Sequence, residues 1–162
     1  MQTPNEFRLF VIFLGTMALA AFVLNWFWEM IQMTAFAGMA GRSWKETAAR
    51  CTVATLGDVG IIAGIYAIGA TAAGDPKWGL KGRWNVYATC AVLGFAYALL
   101  LERQATASGR WSYNPAMPLI PWLKVGLWPA VQLALLAPLS VWIGRRIFLM
   151  TGARNKTGRT ES

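Results

Sequence analysis

Six polar side chains interrupt long apolar runs of this chain. They are Asn25, Glu29 and Gln32 in the first run, Asp58 in the second, Glu102 at the close of the third and Gln132 in the fourth. A charged residue in such a run costs about 2.5–3.5 kcal/mol on insertion scales, so it reads as functional by default. The chain has no His. That excludes His-ligated haem, His-containing zinc sites and Ser-His-Asp or Cys-His catalysis. Proton chemistry would therefore run on the carboxyls. A carboxyl group removed from water can hold its proton at neutral pH, while one that is solvated or paired stays ionised. Asp58 is the expected proton donor. Glu29 or Glu102, with Arg103 and Arg110 as expected counter-ions, is the expected base or cation stabiliser. Such a set suits acid-catalysed hydration, cyclisation or isomerisation of an alkene such as an isoprenoid. Trp and Tyr rings near it would stabilise a carbocation through their π-faces.

The spacing of these residues specifies the elements that position them. Asn25, Glu29 and Gln32 are spaced i, i+4, i+7, one face of a helix, continued backward by Ala21, Ala18 and Leu14. Asp58 falls about two turns inside its run, with Cys51 and Ala54 on its face. Gly60 and Gly64 form a GxxxG pair that permits close backbone approach and predicts a helix packed among others. Ala98, Phe95 and Ala91 lie behind Glu102. Gln132 sits about two turns into the fourth run, with Pro129 before it expected to free a backbone carbonyl. Three carboxylates and three amides from four helices thus gather at one end of a bundle. Asn25, Gln32 and Gln132, with Arg110, Trp111 and Tyr113, are the expected substrate-binding residues. The alternative is that the polar groups only hydrogen-bond helix to helix.

Composition fixes the setting. Of 162 residues, 56% are hydrophobic and only 14% charged, against about 25% charged in soluble domains. Four runs, near 9–28, 52–73, 85–101 and 125–143, approach the length that crosses a bilayer, about 20 residues. The fold class is therefore all-α: a polytopic membrane protein, a single four-helix bundle over 1–150, with 151–162 as a basic, disordered tail. Ala18-Leu19-Ala20 looks like a signal-peptidase site, but the apolar run continues to Trp28, which predicts an uncleaved anchor. Nine Lys and Arg fall on the side of the two termini and six on the other. Both termini are therefore expected in the cytoplasm. The net charge of +8 reads as topology and anionic-lipid contact rather than as a nucleic-acid surface. Nine Trp are expected at the two interfaces: Trp26, Trp28, Trp44, Trp111, Trp122 and Trp128 at one, Trp78, Trp84 and Trp142 at the other. Cys51 and Cys90 fall at opposite depths, too far apart for a disulfide.

Two loops lie at the polar end. Residues 33–50 mix Phe36, Met39 and Trp44 with Arg42, Lys45 and Arg50 and are expected along the interface. Residues 109–122 carry Pro115, Pro118 and Pro121 at spacing three, which favours an extended path. This segment is too apolar for a free aqueous loop and is expected to fold over the bundle end as a lid.

Trp28-Glu29-x-x-Gln32, Cys51 with Gly57-Asp58, Glu102, and Gly109-x-Trp111-x-Tyr113-x-x-x-Met117-Pro118 resemble the pattern of a family of small four-span bacterial membrane proteins with no assigned activity. The resemblance covers most of residues 20–135 and implies a four-helix membrane fold in the bacterial inner membrane. A looser similarity, to integral membrane carotenoid hydratases and heterodimer-type lycopene cyclases, carries over no residues. No phosphate loop, dinucleotide fingerprint or metal-spaced cluster occurs, so neither metal nor cofactor is expected. The expected partners are membrane lipids or an apolar small molecule, not nucleic acid. Three functions stay open: an enzyme acting on a lipid or isoprenoid, a non-catalytic subunit packing against partner helices or a second copy, and a proton-coupled transporter.

Overall fold

The computed structural model describes residues 4–39 and 41–157. It contains four helices long and apolar enough to cross a membrane: α1 (Pro4–Gln32), α2 (Trp44–Ala73), α3 (Trp84–Ala107) and α4 (Leu127–Thr157). Every helix outruns its apolar stretch, because local bonding rather than hydropathy sets its ends. Helix α2 starts at a capping box. The Ser43 hydroxyl accepts the Glu46 N–H, and the Glu46 carboxylate accepts the Ser43 N–H at 3.0 Å. Residues 44–50, expected in an interfacial loop, are therefore its first turns. The helix stops at Gly74, whose φ of +60° suits glycine. Helix α4 runs through the first seven residues of the expected tail, to Thr157; 158–162 lie outside the described residues. A hairpin, β1 (Leu119–Ile120) with β2 (Val125–Gly126), interrupts the loop before α4.

Helix α4 is the hub, packed most extensively on α1 and α3, while α2 leans on α1 and meets α3 thinly. Close approach is made by glycines other than the expected pair. A Cβ on Gly94 would lie 2.5 Å from the Leu133 carbonyl oxygen, and one on Gly144 3.0 Å from the Met17 Cβ. Gly60 and Gly64 have nothing within 4 Å of a built Cβ; their face of α2 is open rather than packed. The proline expectation also changes. Pro129 falls in the first turn of α4, where no intrahelical N–H bond is due, and Pro138 is the interior proline.

Away from the polar end the core is aromatic and aliphatic: Phe13, Met17, Ile62, Tyr66, Val86, Val141. Trp78, expected at an interface, is buried there at 6% exposure. Its ring lies against Gly69, and its indole N–H donates to the Tyr66 carbonyl at 3.1 Å. The rings of Trp44, Trp84 and Trp122 are exposed. Cys51 and Cys90 are both free and buried.

Candidate functional site

The i, i+4, i+7 face of α1 turns inward, as its spacing predicts. Asn25 is fully buried and donates to the Ala21 carbonyl at 2.7 Å. Gln132, on the second turn of α4, faces it. The Gln132 amide nitrogen donates toward Asn25 Oδ1 at 2.9 Å, Glu29 Oε1 at 3.0 Å and Asp58 Oδ2 at 3.0 Å. Its oxygen accepts from Gln32 Nε2 at 2.7 Å. The same Gln32 nitrogen also reaches Glu29 Oε1 at 2.9 Å. Trp28, one turn before Gln32, donates its indole N–H to Gln32 Oε1 at 3.1 Å. One connected network therefore ties α1, α2 and α4 together. Glu29 and Asp58 lie against the same nitrogen.

Glu102 belongs to a second cluster, at the end of α3 and only 5% exposed. The Tyr113 hydroxyl and the Trp111 indole N–H, the latter at 3.2 Å, both donate to Glu102 Oε2. These donors come from the loop after α3, which is pinned to the loop after α1. The Ala37 N–H donates to the Ser112 carbonyl at 2.9 Å, the Asn114 N–H to the Ala35 carbonyl at 3.1 Å, and the Asn114 side chain to the Thr34 carbonyl at 2.6 Å. Phe36 packs against both Trp111 and Tyr113, with ring centroids 6.3 and 5.7 Å away. Burial, and then the hydrogen bond to Glu102, hold the Tyr113 phenol above its ordinary range, so it remains a donor at all ordinary pH.

A cleft of about 1110 Å³ joins the two clusters. Glu29, Gln32, Asp58, Glu102 and Gln132 line it, and Arg110 and Trp111 border it. Asn25 and Tyr113, expected to touch substrate, are not among its lining residues; they hold Gln132 and Glu102 in place. The counter-ion expectation fails. Among the described residues the ion pairs are Lys77 with Glu6 and Lys81 with Asp75, and neither Arg103 nor Arg110 pairs with a site carboxylate. The geometry explains this: Arg103 follows Glu102 by about 100° of helix turn and is exposed, while Glu102 points inward to ring donors. No group of three His, Cys, Asp or Glu that could hold a metal ion occurs among the described residues.

The sequence reading missed Trp28 and Phe36 as parts of the site. Trp28 carried a signal, since i, i+4 to Gln32 places it on the same helix face. Phe36 carried none, because its role depends on two loops meeting. No family model, no curated protein and no solved structure matches the chain.

Proposed function

We propose that this is a multi-pass protein of the bacterial cytoplasmic membrane, with both termini in the cytoplasm. In this reading the cleft binds a lipid or isoprenoid, on which the carboxyl groups perform acid–base chemistry. The observation that carries the reading is the cleft of about 1110 Å³ lined by Glu29, Asp58 and Glu102, none in an ion pair among the described residues. Uncompensated carboxyls between apolar helices are costly. Helix cohesion does not require them, because the direct amide bonds of Gln132 to Asn25 and Gln32 join α1 to α4, and the Trp26 indole N–H, donating to the Thr52 hydroxyl at 3.2 Å, joins α1 to α2. The thin contact between α2 and α3 supports sideways entry from the lipid. The loop carrying Trp111 and Tyr113 would act as a lid over the charged end.

In the proposed reaction Asp58 delivers a proton to a carbon–carbon double bond. Glu29 or Glu102 then takes a proton from the neighbouring carbon, so the double bond moves and the net charge is unchanged. Trp111, at the cleft border, would offer its π-face to the intermediate cation. A second reading, a non-catalytic subunit, is favoured by the open Gly60–Gly64 face of α2, which could meet a partner helix. A transmembrane proton path is less favoured: beyond Asn25 the core is mainly Met17, Phe13 and Val141, and the polar atoms of Ser140, Tyr66 and Trp78 are spent on the Leu136, Pro76 and Tyr66 carbonyls.

Lipid and isoprenoid profiling of cells making equal amounts of the wild-type chain or Asp58→Asn tests the proposal. A compound converted only by the wild type is expected. Equal conversion by both overturns the catalytic role of Asp58. Co-purifying protein subunits with no bound lipid would favour the second reading.

A further inference from the structure

The mouth of the cleft differs in chemistry from its floor. Arg42, in the loop after α1, Arg50, in the second turn of α2, and Arg110, just after α3, all line it, and all three are exposed. The Arg42 Nε–H donates to the Gly38 carbonyl at 2.8 Å, which fixes the guanidinium and leaves its terminal nitrogens without a protein acceptor among the described residues. Neither Arg50 nor Arg110 has a side-chain hydrogen bond or ion pair among them. Glu46 is close enough to feel Arg42 and Arg50. It is occupied by the Ser43 cap, however, and forms an ion pair with neither. Below this mouth, Val53, Ala54 and Ile61 of α2 face Ala98 and Leu101 of α3 across the cleft.

Three guanidinium groups from three separate segments line the mouth of a cleft with apolar walls, an arrangement suited to an anionic amphiphile. We propose that the ligand is a phosphorylated lipid, with its phosphate or diphosphate on Arg42, Arg50 and Arg110 and its hydrocarbon chain between α2 and α3. Guanidinium forks suit phosphate oxygens through paired, charge-assisted hydrogen bonds. Three cations suit a headgroup carrying more than one negative charge. The headgroup would lie at the level of the loops, and the chain would run past Asp58 on the floor. This inference rests on the ligand reading above and narrows it to an anionic headgroup.

The test uses the full-length protein in neutral detergent, with binding read from tryptophan fluorescence. Probes are farnesyl diphosphate and farnesol as one pair, phosphatidic acid and diacylglycerol as the other, and inorganic pyrophosphate as competitor. At least one phosphorylated probe should bind tenfold or more tighter than its alcohol. The pair with the larger ratio identifies an isoprenoid or a glycerolipid tail. Pyrophosphate should compete with the phosphorylated probe only. Arg42→Gln/Arg50→Gln/Arg110→Gln should lose the ratio while keeping the affinity for the alcohol, and Arg110→Gln alone should lose part of it. Equal binding of phosphate and alcohol by the wild type overturns the headgroup inference and leaves the ligand reading standing. Persistence of the ratio in the triple variant also overturns it. Failure of all four lipids to bind overturns both.

Discussion

Replacing Gln132 by Met keeps the side chain's length and removes every polar atom through which α4 meets α1 and α2. The size of the loss follows from the geometry. The amide nitrogen has two hydrogens and three acceptors within 3.0 Å, on Asn25, Glu29 and Asp58, so it donates at most two bonds at a time. The oxygen accepts one more from Gln32 at 2.7 Å. Interhelical hydrogen bonds in membrane proteins average about 0.6 kcal/mol and reach about 1.7, so three of them sum to about 2 kcal/mol, with a ceiling near 5. The expected destabilisation of Gln132→Met is therefore about 2 kcal/mol, read as a shift in the SDS-unfolding curve followed by Trp fluorescence. A double-mutant cycle with Gln32→Met should return a coupling of about 0.6 kcal/mol or more. A loss below about 0.5 kcal/mol with no coupling would rule out the network as a tie between the helices. It would mean that the amides are solvated or bonded elsewhere and that the network does not hold the carboxylates.

Gly94→Ala drives a methyl group to 2.5 Å from the Leu133 carbonyl and should cost about 1–3 kcal/mol or more by the same unfolding assay. Gly60→Ala meets nothing within 4 Å and should be neutral or stabilising by up to about 1 kcal/mol; the reverse order would contradict the packing of α3 on α4. Tyr113→Phe leaves Glu102 with the Trp111 donor alone. It should cost about 1–3 kcal/mol and speed proteolysis within residues 110–118; an unchanged cleavage rate would refute the docking of that loop. Asp75 accepts the Lys77 N–H at 2.8 Å and pairs with Lys81 at 3.0 Å, and these hold its carboxyl below the usual range. A folded value below the unfolded one gives stability that is present above about pH 4 and lost as pH falls through the lowered value. Asp75→Asn should therefore flatten the acid limb of the Tm–pH profile below about pH 4, leaving its slope above that pH unchanged.

Much of the site was legible because helical spacing is a local property. Asn25, Glu29 and Gln32 had to share a face wherever the helix lay, and an inward-facing Asp58 and Gln132 had nowhere else to find partners. The helix ends were less legible, since a hydropathy run sees apolar residues and not caps. Ser43-x-x-Glu46 is nonetheless a capping-box signature that places the start of α2 at Trp44. Contacts whose partners carry no polar or helical-spacing signal were not legible. Gly60 and Gly64 had the right spacing for close packing, yet Gly94 and Gly144 make the contacts, because which face turns inward is decided by the other helices. Trp78 belongs to the core because the connector after α2 folds back on Gly69, a non-local choice. Of the arginines expected to neutralise Glu29 and Glu102, Arg110 stays out at the cleft mouth and Arg103 is exposed away from it, while two ring donors from the loop reach Glu102.

In the proposed function, the cleft between α2 and α3, lined by Glu29, Asp58 and Glu102, holds an amphipathic molecule. The most direct measurement is a structure of the protein in a lipid nanodisc carrying native membrane extract. Continuous elongated density running between α2 and α3 and passing beside Asp58 and Glu29 is the expected result. Direct packing of α2 on α3 with the cleft closed, and Asp58 and Glu29 bonded only to Gln32 and Gln132, would overturn that reading.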